Sequence, residues 1–112
     1  MKVLVTGGAG YIGSQFVHSL LDHNMVPVVV DDFSTGNEKL LPKSIKVFNT
    51  DISNYNKISK ILNSENFAAV VHFAASTVVN ESIDNPLKYY INNTQKTIEF
   101  LKAFSESGIK SF

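Results

Sequence analysis

Apolar positions along this chain follow two rhythms that alternate. Lys2 to Thr6 is a short β-branched run, which predicts a strand. From Ile12 onward apolar residues recur at Ile12, Phe16, Leu20 and Leu21, with Gln15, His18, Ser19 and Asp22 on the other face, and that spacing predicts a helix. The helix is expected to stop near His23-Asn24, because Asn tolerates the left-handed capping conformation. Val26 to Val30 is nearly all apolar and ends in Asp31-Asp32. It reads as a strand buried on both faces, with Pro27 near its start, where a sheet tolerates it. Ile45 to Phe48 predicts a third strand, delivering Asp51-Ile52 at its far end. Ser53 or Asn54 can cap a helix with apolar positions Tyr55, Ile58, Ile61 and Leu62. Ala68 to Phe73 predicts a fourth strand, again buried on both faces. Asn85-Pro86 then opens a helix of about 22 residues, or roughly 33 Å. Its buried stripe is expected at Leu87, Tyr90, Ile91, Ile98, Leu101 and Phe104, and Gly108 ends it. Ile109 to Phe112 reads as the approach to a fifth strand.

Strands alternating with helices predict an α/β fold, because each crossover packs an amphipathic helix back onto a parallel sheet. The expectation is a Rossmann-type doubly wound parallel sheet, incomplete, with four strands in the order 3-2-1-4 and the start of a fifth beside the fourth. In such a sheet ligands bind beyond the carboxyl ends of the strands, where the order reverses. The glycine-rich loop after the first strand, Asp31, Asp51 and the segment after Phe73 all fall at those ends.

Composition narrows the function classes. Over 112 residues, ten basic side chains balance ten acidic ones, which argues against a nucleic-acid or polybasic membrane partner. Cysteine is absent, so neither a disulfide framework nor a thiolate metal site can form. A chain 44% hydrophobic and 18% charged is that of an ordinary globular domain, and its length suits one domain without repeat or linker. No apolar run nears the roughly 20 residues of a membrane span. The apolar stretch at the N-terminus meets a glycine cluster too early for a secretion signal, so a cytoplasmic protein is expected.

The densest chemical signal is Gly7-Gly8-Ala9-Gly10-Tyr11-Ile12-Gly13, which holds four of the six glycines. It satisfies Gly8-x-Gly10-x-x-Gly13 and Gly7-x-x-Gly10-x-x-Gly13 together, and it follows a strand and opens a helix, the context this motif needs. Backbone N–H groups and the positive helix end would then face a pyrophosphate. A P-loop is excluded, since Ser14 stands where that motif needs Lys. Asp31 closes the second strand 18 positions after Gly13, near the offset at which an acid binds the adenosine ribose hydroxyls. A carboxylate there repels a 2′-phosphate, and every basic residue is Lys rather than Arg, so NAD is favoured over NADP. Asp32 fits a cofactor contact and a solvated turn equally well. Asp51, at the adenine edge of such a site, fits a cofactor contact better than a plain helix-approach acid. Asn92 and Asn93 are poor helix formers inside the long helix, and an inward polar contact of Asn92 competes with simple surface tolerance. His72 closes the fourth strand and reads as a hydrogen-bonded strand-end residue ahead of a catalytic or metal-binding one. No metal site is expected.

Together Met1 to Ser14, Asp31 to Gly36, Asp51-Ile52, His72-Phe73-Ala74-Ala75, Glu81-Ser82, Asn85-Pro86-Leu87-Lys88-Tyr89-Tyr90 and Asn92-Asn93 resemble the UDP-glucose 4-epimerase family. That family belongs to the extended short-chain dehydrogenase/reductases, the NAD-dependent epimerase/dehydratase group. The likeness spans nearly all of this chain but only the first third of such an enzyme. Residues 1–112 would thus be the N-terminal portion of an NAD-binding Rossmann domain, with the C-terminal substrate domain absent. The resemblance puts cofactor contacts at Gly7, Gly10, Tyr11, Ile12 and Gly13, at Asp31 with Phe33, Ser34, Thr35 and Gly36, at Asp51 and Ile52 beside the adenine, at Phe73, Ala74 and Ala75 toward the nicotinamide ribose, and at Asn92. Two departures stand out. Asp32 replaces a usual Asn, and Thr77 replaces a Lys that some members carry near the nicotinamide.

Such enzymes are expected to move a hydride from C4 of a nucleotide sugar to bound NAD and back to the other face, while a tyrosine whose pKa a nearby Lys lowers handles the proton. Four residues after Tyr11, Tyr55, Tyr89 and Tyr90 stand Gln15, Ser59, Asn93 and Thr94, so no Tyr-x-x-x-Lys pair occurs. The resemblance therefore implies an NAD-binding segment of the epimerase, a truncated fragment inactive alone and without catalytic residues of its own. Its whole-length relatives would take a nucleotide sugar and form homodimers. A non-enzymatic NAD-binding module, half of a split protein, and a fragment of a nucleotide-sugar 4,6-dehydratase are the alternatives.

Overall fold

β-branched runs separated by capped helices fold here into three layers. The structure, a computed structural model, describes residues 1–75 and 83–112. Its elements are β1 (Lys2–Thr6), α1 (Tyr11–Asp22), β2 (Val26–Asp31), a short 3₁₀ turn (Glu38–Leu40), β3 (Lys46–Asn49), α2 (Tyr55–Ser64), β4 (Phe67–His72), α3 (Pro86–Tyr90), a π turn (Ile91–Gln95) and α4 (Lys96–Ser107). The sheet is parallel, in the order β3-β2-β1-β4, as the sequence pattern predicts. The register pairs Thr6 with Val30 and with His72, and Asp31 with Asn49. All four carboxyl ends therefore finish along one rim.

The strands sort their side chains by alternation. Val3 and Val5 face the α1 side, packing with Ala9, Val17, Leu20 and Val29. Leu4, Val28, Val30 and Val70 face the other side, against Ile58, Ile61, Leu62, Phe100 and Ala103 of α2 and α4. Caps fall where the sequence puts them. Asn24 adopts a left-handed backbone (φ 59°) after α1, Asn54 accepts from the Lys57 amide and Asn85 from the Lys88 amide, and Gly108 ends α4 at φ 81°.

Three expectations about burial need correction. In α1, Ile12 is exposed while Val17 is fully buried. In β4, Ala68 is exposed and Ala69 and Val71 only half-buried, because this edge strand has a neighbour on one side only, with β1. The largest correction concerns the long helix. Leu87, Tyr90, Ile91, Ile98 and Leu101 are all exposed, and Phe100 and Ala103 are the buried residues. The helical path does run from Pro86 to Ser107, but the π turn interrupts its 3.6-residue period. The stripe counted from Leu87 already faces water ahead of that turn, at Leu87 and Tyr90, and beyond it the buried face is that of Phe100 and Ala103, with Phe104 half-buried beside them.

After α4 the chain returns to β4, where the Val70 amide donates to the Ser111 carbonyl at 2.9 Å. That single ladder bond is what the structure shows of the expected fifth strand. Phe112 then packs on His72, Phe100 and Phe104.

Candidate functional site

At the carboxyl rim of the sheet, where the strand order reverses between β1 and β4, the glycine loop turns the chain from β1 into α1. Gly7 sits at φ 68°, and a Cβ there would lie 2.6 Å from the Ala74 nitrogen. A Cβ on Gly13 would lie 2.2 Å from the Gly7 carbonyl oxygen. Both glycines are thus required by close backbone approach, one against the end of β4 and one within the loop itself. Gly10 caps α1 with backbone alone, and neither a capping side chain nor a first-turn acid occupies that helix end. The first N–H groups of α1, at the positive end of its dipole, are available to an anion.

Asp31 lies directly beneath this loop and is almost fully buried. Its Oδ2 accepts from the Ala9 amide at 2.9 Å and its Oδ1 from the Phe33 amide at 2.8 Å. The loop after β2 is drawn over it by the Asn37 amide, which donates to the Ala9 carbonyl at 2.9 Å. Gly36 comes so close that a Cβ there would stand 3.1 Å from both Asp31 oxygens. Phe33 adopts a positive φ of 58°, uncommon for a bulky residue, and its ring packs into the α1-side core. Asp32 is exposed and accepts from the Ser34 amide at 2.9 Å, the turn role, while also lining the cleft described next.

A cleft of about 300 Å³ opens along this rim. Fifteen of the sixteen positions expected to touch a cofactor line it, from the glycine loop, the Asp31 loop, Asp51-Ile52, Phe73 to Ala75 and Asn92. Phe33 is the one that does not. The cleft also takes in two residues that sequence reasoning missed, Thr50 and Lys96. Lys96 Nζ lies 2.5 Å from Asp51 Oδ2, and Asp51 Oδ1 accepts from the Ser53 amide at 2.8 Å and the Ser53 hydroxyl at 2.7 Å. Partial burial would raise the Asp51 carboxyl, but the Lys96 and Ser53 hydrogen bonds and the Lys96 charge outweigh it, and its pKa lies below the ordinary value. The one sequence signal for Lys96 is its place four residues after Asn92.

His72 stands behind the cleft rather than in it. Its Nδ1 is 2.6 Å from the Thr6 hydroxyl and its Nε2 3.2 Å from the Thr97 hydroxyl, and its ring stacks on Phe100. Burial lowers its pKa. This is the hydrogen-bonded strand-end role read from the sequence. Among the described residues, no group of three His, Cys, Asp or Glu side chains is placed to hold a metal ion. Thr77 and the Glu81-Ser82 pair lie outside the described residues.

Residues 3–112 match the model of the NAD dependent epimerase/dehydratase family. The chain belongs to that family. Among family members, it is 44% identical over 110 residues to the UDP-glucose 4-epimerase of Lactobacillus helveticus, covering 98% of this chain and 33% of that protein. It is 37% identical over 119 residues to the UDP-glucose 4-epimerase of Klebsiella pneumoniae, covering all of this chain and 86% of that one. The crystal structure of Thermus thermophilus UDP-glucose 4-epimerase in complex with NAD superposes with a TM-score of 0.91 at 31% identity, over 98% of this chain and 35% of that one. The chain thus spans about a third of the length of most such relatives, and this family fold accounts for the strand order and the placement of the cleft. Among the described residues, no helix is long and apolar enough to cross a membrane.

Proposed function

We propose that these 112 residues bind NAD and form the cofactor-binding part of a UDP-glucose 4-epimerase. The observation that carries this reading is Asp31, whose carboxylate is fixed by two backbone amides beneath an uncapped helix end. An acid so placed accepts from paired ribose hydroxyls, while the helix end beside it suits a pyrophosphate. The residues fit the group sterically as well. Gly36 lines the cleft so close to Ala9 and the Asp31 carboxylate that a Cβ would crowd both, and the cleft volume falls within the ordinary range for small-molecule sites, about 300–1,000 Å³.

When bound, NAD supplies a hydride acceptor and donor for the carbon being inverted. The chain's own contribution is to bind and orient. Asp31 would select the ribose over a 2′-phosphate by charge repulsion, the α1 amides would hold the diphosphate, and Ala74 and Ala75 would floor the site toward the sugar. The proton-transfer pair does not occur in these residues, so the isolated chain is expected to interconvert no UDP-galactose and UDP-glucose. Similarity to the epimerases supports the nucleotide-sugar substrate, and the cytoplasmic setting and homodimeric assembly expected of whole-length members belong to the same reading.

Two measurements test it. Calorimetric titration of the purified chain is expected to show NAD binding at least about tenfold tighter than NADP, with Asp31→Ala losing about that factor, as for a hydrogen bond to a charged group. Equal affinity for NADP overturns the cofactor assignment. A chimera in which these residues replace the matching third of the Lactobacillus helveticus relative is expected to epimerise UDP-galactose. A folded, NAD-loaded chimera without that activity overturns the epimerase assignment.

A further inference from the structure

Behind the cleft a chain of hydrogen bonds crosses from the end of β4 to the long helix. The Ala74 amide lies 3.4 Å from the Thr6 hydroxyl, which lies 2.6 Å from His72 Nδ1. On the other side of the ring, His72 Nε2 lies 3.2 Å from the Thr97 hydroxyl, which donates to the Asn93 carbonyl at 2.9 Å. The two ends fix the direction of every proton between them, because an amide N–H only donates and a carbonyl only accepts. The Thr97 proton goes to Asn93, so Thr97 accepts from Nε2–H. A neutral imidazole then has a bare Nδ1, to which the Thr6 hydroxyl donates while accepting from Ala74. The opposite tautomer would leave the proton of Thr6, a fully buried residue, without an acceptor among the described residues, a cost that the first direction avoids. Phe100 and Phe112 stack on the ring with centroids 5.6 and 5.9 Å away, so its plane is fixed along with its tautomer.

We propose that His72, as its Nε2–H tautomer, is a positioning residue that sets the separation of two cleft walls, the Ala74 floor and the turn that carries Asn92. The inference rests on the NAD-binding reading above, which puts Ala74 toward the nicotinamide ribose. Both walls line the cleft. Ala74 lies beyond the end of β4 and Asn92 lies in the π turn, two places where the regular backbone pattern is interrupted. The side-chain relay joins them where no strand or helix ladder does, and its bonds, all pointing one way, polarise and strengthen one another. Asp31, by contrast, ends β2, on the far side of β1 from β4, and its two amide bonds come from Ala9 and Phe33. Loosening the relay at Thr97 therefore disturbs one end of the cleft and spares the other.

Two measurements on the purified chain test this. Long-range nitrogen–proton NMR correlation of the His72 ring at pH 7.5 is expected to show a proton on Nε2 and none on Nδ1. Calorimetric titration then compares NAD with ADP, which carries the groups assigned to Asp31 and the α1 amides but lacks the nicotinamide ribose. Thr97→Val, which keeps the side-chain shape and removes the hydroxyl, is expected to weaken NAD about three- to tenfold, the size of one neutral hydrogen bond, and to leave ADP nearly unchanged. Thr97→Ser, which keeps the hydroxyl, is expected to restore most of the NAD affinity. An Nδ1–H or doubly protonated ring overturns the proposal, as does equal weakening of NAD and ADP by Thr97→Val, which would mean a purely structural role. Failure of the unmodified chain to bind NAD or ADP would overturn the NAD-binding reading and this proposal with it, whereas NAD binding that Thr97→Val leaves intact overturns this proposal alone.

Discussion

A histidine shut away from water favours its neutral form, and His72 is the residue here where that cost is readable in solution. Its ring is stacked on by Phe100 and Phe112, and its two nitrogens face the Thr6 and Thr97 hydroxyls, so among the described residues its hydrogen-bond partners are neutral. Burial therefore holds its pKa below the ordinary value near 6.5. The unfolded chain takes up a proton as pH falls through about 6.5 while the folded chain resists it, so stability is full above that pH and declines below it, until the folded pKa is reached. Asp51 acts in the same direction at lower pH, as does Glu65 just after α2, whose carboxylate is hydrogen-bonded by Lys2 and paired with Lys46, because the folded pKa of each lies below its ordinary value. Urea unfolding at pH 7.5 and 5.5 is expected to show lower stability at the acid value, and His72→Gln is expected to reduce that difference. A variant with the full acid sensitivity of the parent would assign the effect to other groups. His72 was legible in the sequence as a strand-end residue because its position fixes its role. Lys96 was not, because its partner lies far away in sequence and only the fold brings the two together.

Helices and strands differ in how much of their burial a sequence reveals. The strands and their order were readable because β-branched runs ending in Asp31 or in a glycine cluster have few other conformations to choose from. Caps at Asn24, Asn54, Asn85 and Gly108 were readable for the same local reason. The face of the long helix was not. The expected stripe of Leu87, Tyr90, Ile91, Ile98, Leu101 and Phe104 meets the core only at Phe104, and a second stripe, Phe100 and Ala103, is the one the sheet buries, beyond the π turn at Ile91–Gln95. That turn also begins next to Asn92 and ends next to Lys96, both cleft residues, in keeping with the tendency of such turns to sit at functional sites. The two stripes make opposite predictions for substitution. Phe100→Ala is expected to cost about 3–5 kcal/mol, since it empties a fully buried ring position, while Ile98→Ala is expected to change stability by less than about 0.5 kcal/mol. Urea denaturation of the two variants separates them. Similar losses would mean that the exposed stripe is covered in solution.

A sheet gains stability from being closed on every side, and this one is closed unevenly. Its two faces are packed by α1 and by α2 with α4, yet the β4 edge carries a single ladder bond to Ser111, and Leu87, Tyr90 and Ile98 stand in water on the outer helix. Uncovered apolar surface and an open edge both lower the stability a chain of this length can reach and favour association between copies. The purified chain is therefore expected to unfold below about 55 °C, the middle of the usual range for domains of this kind. A ligand that binds only the folded state adds stability as the logarithm of its concentration over its dissociation constant, about 2.7 kcal/mol at a hundredfold excess. Because the cleft is assembled from the ends of β1, β2, β3 and β4 together with the long helix, its ligand couples every part of the fold at once. NAD at such an excess is expected to raise the thermal midpoint by roughly 10 °C, using 4–8 °C per kcal/mol for domains of 60–100 residues and somewhat less here. NADP at the same concentration is expected to do much less, because on the proposed reading Asp31 would repel its 2′-phosphate. Scanning calorimetry with each ligand, at two protein concentrations to expose association, measures all three effects. A midpoint well above 55 °C without ligand, unmoved by NAD, would show that the sheet is already complete in solution and that the cleft does not control its stability.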